Sequence, residues 1–233
     1  VASDAALAED FSTDSPVLLV AFGGLKGAPM GLPPFEFKGL SAGLATKRLF
    51  VRDPEQAWYQ RGLPGVADHI DGVVEHLAAR VAASEAERVV MVGNSMGGYA
   101  ALLFGARLDV DAVVAFAPQS FLGRVKRALH RDRRWKHQMR GAQTSPTLRR
   151  ANLDLLTAIP QAGPARCRAQ IHYGRDERLD GVHAERLARL PRISVHGHAT
   201  GGHALVRALR DGGQLAEILG QAVAPEGEQD DLR

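Results

Sequence analysis

The sequence predicts an α/β fold, a mostly parallel sheet with helices on both faces, and three observations carry that prediction. Short unbroken apolar runs recur along the 233 residues, as strands buried on both faces require. Segments of helical periodicity separate them, and such alternation implies parallel strands joined by right-handed crossovers. One run, Val89-Val90-Met91-Val92, passes into Gly93-Asn94-Ser95-Met96-Gly97 and then an almost wholly apolar stretch from Gly98 to Phe104. That is the pattern of a buried strand turning sharply into a buried helix.

In chain order, residues 1–16 are polar and acidic and read as a tail. Val17 to Phe22 forms the first strand and ends at Gly23-Gly24, a turn signal. Leu49-Phe50-Val51 is a second short strand. Val66, Ile70, Val73, Val74, Leu77 and Val81 recur at steps of three and four, so an amphipathic helix is expected over 66–83. The strand before Ser95 is the third, Ala112 to Ala117 the fourth, Gln170 to Tyr173 the fifth and Ile193 to His196 the sixth. Further helices are expected from Val182 to Leu190 and from His203 to Leu219. The interval 119–166 holds no strand and is rich in Arg; it reads as a partly helical insertion forming a lid. A single domain over 17–223 with polar tails at 1–16 and 224–233 follows, a size common for α/β domains.

Composition narrows the class. Hydrophobic content of 45% and charged content of 24% are globular values and exclude a disordered or fibrous chain. No run of 18 apolar residues is present, so no membrane span is expected. The one cysteine, Cys167, excludes an internal disulfide and offers no metal cluster; with no basic-then-apolar leader visible, a cytoplasmic address is expected. Charge is unevenly spread. Between Arg124 and Arg150 stand ten Lys or Arg against one acid, Asp132, so this stretch carries +9 of a chain total of +3 and the remainder −6.

The strongest chemical signal is Ser95. With 25 Gly and 9 Ser in the chain, G-x-S-x-G arises by chance roughly 0.1 times, and the flanking strand and helix patterns make it a nucleophile elbow. A phosphate-binding loop would end in Gly-Lys-Ser/Thr, and no Lys follows here. Ser needs a base to take its proton and an acid to hold that base. His203 follows the sixth strand and the Thr200-Gly201-Gly202 turn and is the best-placed base; His196 and His198 are weaker candidates. The loop after the fifth strand, Gly174-Arg175-Asp176-Glu177-Arg178-Leu179-Asp180, supplies the acid. Asp176, just past the strand, is preferred over Asp180, which precedes the helix expected at Val182 and has capping as its simpler role; Glu177 ranks third. Oxyanion donors are expected from the Met96 amide and from Gly24 or Leu25 after the first strand. Trp58, Tyr59 and Gln119 stand at strand ends as candidate pocket residues, with packing the simpler use of Trp58.

With GNSMGG as the elbow, FGGL as the oxyanion loop, an Asp-bearing loop after the penultimate strand and GGH before the last helix, the chain resembles the α/β-hydrolase superfamily from about Val17 to Leu219. Members often carry two additional strands at the start, which fifteen leading residues are too few to supply, so a trimmed version is implied. GRDERLD departs from the commoner spacing, in which the acid stands three residues after the strand-end Gly.

These residues imply a serine hydrolase acting on an ester or thioester through an acyl-enzyme on Ser95, a chemistry that requires no metal or organic cofactor. Acyl transfer would use the same triad. A noncatalytic binding protein retaining the fold is the alternative of another class, and the presence of Ser, acid and His in the required order argues against it. The basic insertion suits an anionic acyl substrate, either a small molecule or one carried on a phosphopantetheine or carrier protein. Nucleic acid is disfavoured, because no reading motif or interleaved stacking aromatics accompany the charge.

Overall fold

The computed structural model describes residues 6–25, 35–161 and 166–224. Its sheet comprises β1 (Leu7–Asp10), β2 (Val17–Phe22), β3 (Lys47–Val51), β4 (Arg88–Asn94), β5 (Ala112–Phe116), β6 (Arg168–Gly174) and β7 (Ile193–His198). Their order across the sheet is β1-β3-β2-β4-β5-β6-β7. Every pairing is parallel except β1 with β3, where Leu7 faces Val51 and Asp10 faces Arg48. The expected leading tail therefore contributes an antiparallel edge strand. Its sequence, Leu-Ala-Glu-Asp, is too short and too acidic to read as one, and an edge strand half open to water needs no more.

The continuous apolar runs have a direct structural cause. Along β2, Leu18, Val20 and Phe22 enter the core on one face, and Val17, Leu19 and Ala21 enter the core on the other. On the first face pack α2 (Ile70–Ala83), α3 (Met96–Leu108), α6 (Leu155–Gln161) and α7 (Arg178–Glu185), which contribute Val73, Leu103, Leu155 and Ala184. On the second lie α8 (Leu205–Asp211) and α9 (Gln214–Val223), with Leu205, Leu209, Leu215 and Leu219 buried. Helices thus cover both faces, and each fully buried Leu or Phe contributes roughly 1.5–3 kcal/mol. The short α1 (Lys38–Ser41) precedes β3. The expected helix over 203–219 is interrupted at Gly212-Gly213, where Gly213 takes φ 77°, a conformation that favours Gly.

Between β5 and α6 lie α4 (Arg124–Leu129), α5 (Lys136–Gln143) and a 3₁₀ turn at Arg150–Leu153. The basic interval is thus partly helical. α6 packs on α3 and precedes β6 in the chain. Among the described residues no helix is long and apolar enough to cross a membrane.

Candidate active site

Ser95 stands where β4 gives way to α3, at φ 55°, ψ −116°, a strained conformation for a residue with a side chain. Two glycines make the turn sterically feasible. A Cβ on Gly93 would lie 2.1 Å from the Gly97 carbonyl oxygen, and one on Gly97 would lie 2.2 Å from that of Phe22. The Ser95 amide donates to the Phe116 carbonyl at 2.8 Å, tying the apex to β5. The Gly spacing in the sequence thus records two backbone contacts closer than any side chain permits.

His203 lies in a 3₁₀ turn, Gly202–Ala204, between β7 and α8. Ser95 Oγ and His203 Nε2 are 2.9 Å apart, and His203 Nδ1 is 2.9 Å from Asp180 Oδ2 and 3.1 Å from Oδ1. In the tautomer with the proton on Nδ1, His203 donates to Asp180 and accepts from Ser95. His196 and His198 are elsewhere: His198 Nε2 meets His172 Nδ1 at 3.1 Å, and His196 pairs with Ser194.

The acid at His203 is Asp180, and the preference for Asp176 is corrected. α7 begins at Arg178, four residues before the expected start, and Glu177 caps it by accepting from the Leu179 amide at 3.0 Å. Asp180 is therefore not needed as a cap. It sits in the first helical turn with its side chain fully buried against His203. Asp176 Oδ1 instead accepts from the Gly202 amide at 2.8 Å, fixing the turn that carries the imidazole. Glu177, ranked third, serves only as the cap.

Asp180 has a second partner. Arg134 Nη1 donates to Asp180 Oδ1 at 2.6 Å, and the same side chain donates from Nε to Asp132 Oδ1 at 3.2 Å. Burial would raise the Asp180 pKa, but the His203 hydrogen bond and the His203 and Arg134 charges outweigh it and hold the carboxyl below its usual range. Asp132 also receives Arg127 Nη1 and His183 Nε2, at 3.3 and 3.2 Å. For its carboxyl, burial again works upward, and the His183 and Arg134 hydrogen bonds and charge reverse it. Burial drives the His183 pKa down, and its Nδ1 accepts the Ser120 amide at 2.9 Å. The segment carrying the sequence signal of ten cations thus reaches the candidate triad acid. The lone acid among those cations, Asp132, was the available clue that part of the segment is buried and paired.

Trp58 and Gln119 lie beside Ser95. Gln119 Oε1 accepts the Trp58 indole N–H at 3.2 Å and stands 3.3 Å from Ser95 Oγ. Trp135 packs at 4.8 Å from the His203 ring and 6.4 Å from that of Trp58. Tyr59 is corrected: it is a core residue, edge-on to Phe22 and Phe104, with its hydroxyl donating to the Gly23 carbonyl at 3.1 Å. Trp58 and Tyr59 take φ of 52° and 60°. Asp53 holds them there by accepting the Ala57 and Tyr59 amides at 2.7 and 2.8 Å.

Of the expected oxyanion donors, Met96 opens α3 directly after Ser95. The Gly24 amide is committed elsewhere, donating to Glu36 Oε2 at 2.6 Å, so within that loop Leu25 is the remaining candidate. Glu36 is a further buried acid beside this loop; its Oε1 accepts from Asn94 Nδ2 at 3.1 Å. Burial pushes its carboxyl up to about 7, against the lowering effect of those two hydrogen bonds. The Phe-Glu-Phe context at 35–37 was its one sequence signal.

The elbow after the central parallel strand, the acid after β6 and the histidine after β7 all stand at the carboxyl ends of one sheet, where such folds bind ligands. The structural matches decide the classification. A histidine variant of the capsule O-acetyltransferase of Neisseria meningitidis serogroup A, in complex with CoA, superposes with a TM-score of 0.64 at 15% identity, covering 90% of both chains. The fluorophosphonate-binding serine hydrolase FphF of Staphylococcus aureus, substrate bound, gives 0.62 at 12%, covering 91% of this chain and 84% of that one. The chain has the α/β-hydrolase fold. A glycosylation-associated protein complex from Streptococcus agalactiae also matches this fold, at a TM-score of 0.64 and 18% identity; the match spans 91% of this chain but 43% of that one. The model of UPF0227, described as an uncharacterised protein family, matches residues 57–168. That stretch takes in the Ser95 turn and the basic interval and stops short of Asp180 and His203. No curated protein matches the sequence.

Proposed function

We propose that the protein is a serine hydrolase that cleaves an ester or thioester through an acyl-enzyme on Ser95. The observation that carries this reading is the continuous relay from Ser95 Oγ through His203 to Asp180, each step at 2.9 Å. In acylation His203 Nε2 takes the hydroxyl proton as Ser95 Oγ attacks the carbonyl carbon, and gives it to the leaving alcohol or thiol as the C–O or C–S bond breaks. Asp180 orients the ring and stabilises the imidazolium. The Met96 and Leu25 amides are assigned to the oxyanion, whose charge the transition state concentrates. Water then attacks the acyl-enzyme by the same proton route in reverse.

Gln119, with its carboxamide held by the Trp58 indole, backs Ser95 at 3.3 Å from the buried side, Gln119 and Trp58 both being fully enclosed. Transfer of the acyl group to a second alcohol instead of water is the other reading, supported by the O-acetyltransferase among the fold neighbours. A panel of p-nitrophenyl esters and acyl thioesters of graded chain length tests the assignment. Turnover of at least one member, lost in Ser95→Ala, is expected; no turnover of any member, with Ser95→Ala indistinguishable from wild type, would remove the hydrolase reading.

A further inference from the structure

A concavity of about 520 Å³ opens between α4 and α5, within the size range of small-molecule sites. Its walls carry Arg124, Arg127, Arg131, Arg133, Lys136 and Arg140, against one carboxylate, Asp132. That carboxylate is already committed to Arg127, Arg134 and His183. Arg131, Arg133, Lys136 and Arg140 have no carboxylate partner among the described residues. Crowding like charges into a concavity is unfavourable for the empty protein, and the low-dielectric walls focus the field on whatever anion enters. Arginine forks match phosphoryl oxygens in geometry as well as charge.

The position of this concavity says which part of a substrate would reach it. The loop that lines it also supplies Arg134, on the triad acid, and Trp135, packed 4.8 Å from His203. His203 is the group that returns a proton to the leaving atom, so the leaving group lies on the side of the site that this loop covers.

We infer that the cationic concavity between α4 and α5 binds the phosphoryl groups of the leaving alcohol or thiol, so that the substrate is an acyl ester or thioester of a carrier bearing two or more phosphates. A single carboxylate would leave most of these cations uncompensated; a diphosphate compensates several at once. This inference rests on the serine hydrolase reading for the direction of departure only. The acylation step stays balanced: the Ser95 proton leaves on the phosphorylated alcohol or thiol, and the acyl group stays on Ser95.

The test uses the full chain and inorganic pyrophosphate as probe. Calorimetric titration is expected to show saturable binding to wild type, weakened by about ten-fold or more in the Arg131→Ala, Arg133→Ala, Arg140→Ala triple variant. A charge-matched triple elsewhere, Lys38→Ala, Arg189→Ala, Arg192→Ala, is expected to bind as wild type does. Across the same proteins, the ratio of kcat/KM for acetyl-coenzyme A to that for S-acetyl-N-acetylcysteamine, a thioester without phosphates, should fall by about ten-fold only in the first triple. Absent binding in wild type, equal weakening by both triples, or an unchanged ratio overturns the inference. The single variants Arg131→Ala and Lys136→Ala serve if a triple does not fold. Pyrophosphate binding requires no turnover, so failure of the serine mechanism, seen as no hydrolysis of either thioester, reads out separately.

Discussion

Asp180→Asn is expected to lower kcat on a neutral p-nitrophenyl ester by about four orders of magnitude, and Asp176→Asn by less than about ten-fold. The difference follows from what each carboxylate holds. Asp180 receives the His203 Nδ1 proton at 2.9 Å and is the charge that balances the imidazolium; an amide there donates where the ring must donate, and favours the wrong tautomer. Asp176 accepts one backbone amide, from Gly202, and the Oδ1 of Asn can do the same. Arg134 loses a charged partner in Asp180→Asn but keeps Asp132, so thermal unfolding of the variant should be followed alongside kinetics. Steady-state rates on the purified variants decide it: equal losses from the two substitutions, or a silent Asp180→Asn, would contradict the triad as assigned.

Raising the pH from 4.5 to 7 is expected to cost about 3 kcal/mol of stability through Glu36 alone. The folded state lifts this carboxyl from 4.5 to about 7 by burying it. Between those values the folded chain holds a proton that the unfolded chain has released. The stability it contributes is therefore complete below 4.5 and is lost as pH rises through 7. His172 works in the opposite sense. Burial, with His196 and His198 nearby, takes it from 6.5 down to about 3, so its contribution is complete above 6.5 and is lost as pH falls toward 3. Wild type alone would show the two overlapping, whereas the difference between wild type and Glu36→Gln isolates the carboxyl. Denaturant unfolding at pH 5 and pH 8 should show wild type losing stability relative to the variant; parallel profiles for the two proteins would contradict the burial argument. Since Glu36 accepts from Gly24 and Asn94, its ionisation strengthens the contacts that hold the loop after β2 even as it weakens the fold.

The sheet was legible because parallel strands buried on both faces leave runs such as Val17 to Phe22 that no other element produces. Ser95 was legible because two glycines at fixed spacing stand where a Cβ would come within about 2.2 Å of a backbone carbonyl oxygen. His203 was legible from chain order and the glycines before it. The acid was not, because the choice between Asp176 and Asp180 depended on where α7 begins. Helix starts are the least certain boundaries in a sequence, and moving this one from Val182 to Arg178 changes Asp180 from a cap to a partner of His203. β1 escaped notice because four half-exposed residues on a sheet edge need no apolar pattern. Tyr59 was misplaced for a related reason: an aromatic after a strand end is equally consistent with a pocket or a core, and only its contacts with Phe22 and Phe104 decide. Glu36, Arg134 and Asp132 act through tertiary pairs with Asn94, Asp180 and His183, 46 to 58 residues apart in sequence, which no local pattern encodes.

The central claim is that Ser95 is an activated nucleophile, and covalent labelling tests it most directly. A fluorophosphonate reacts with a serine hydroxyl only when a base withdraws its proton. Intact-mass measurement after incubation should show a single adduct on wild type, mapped by peptide digestion to Ser95, and none on Ser95→Ala. No adduct on folded wild type, or an adduct that persists in Ser95→Ala, would contradict the claim and leave the fold as a binding scaffold.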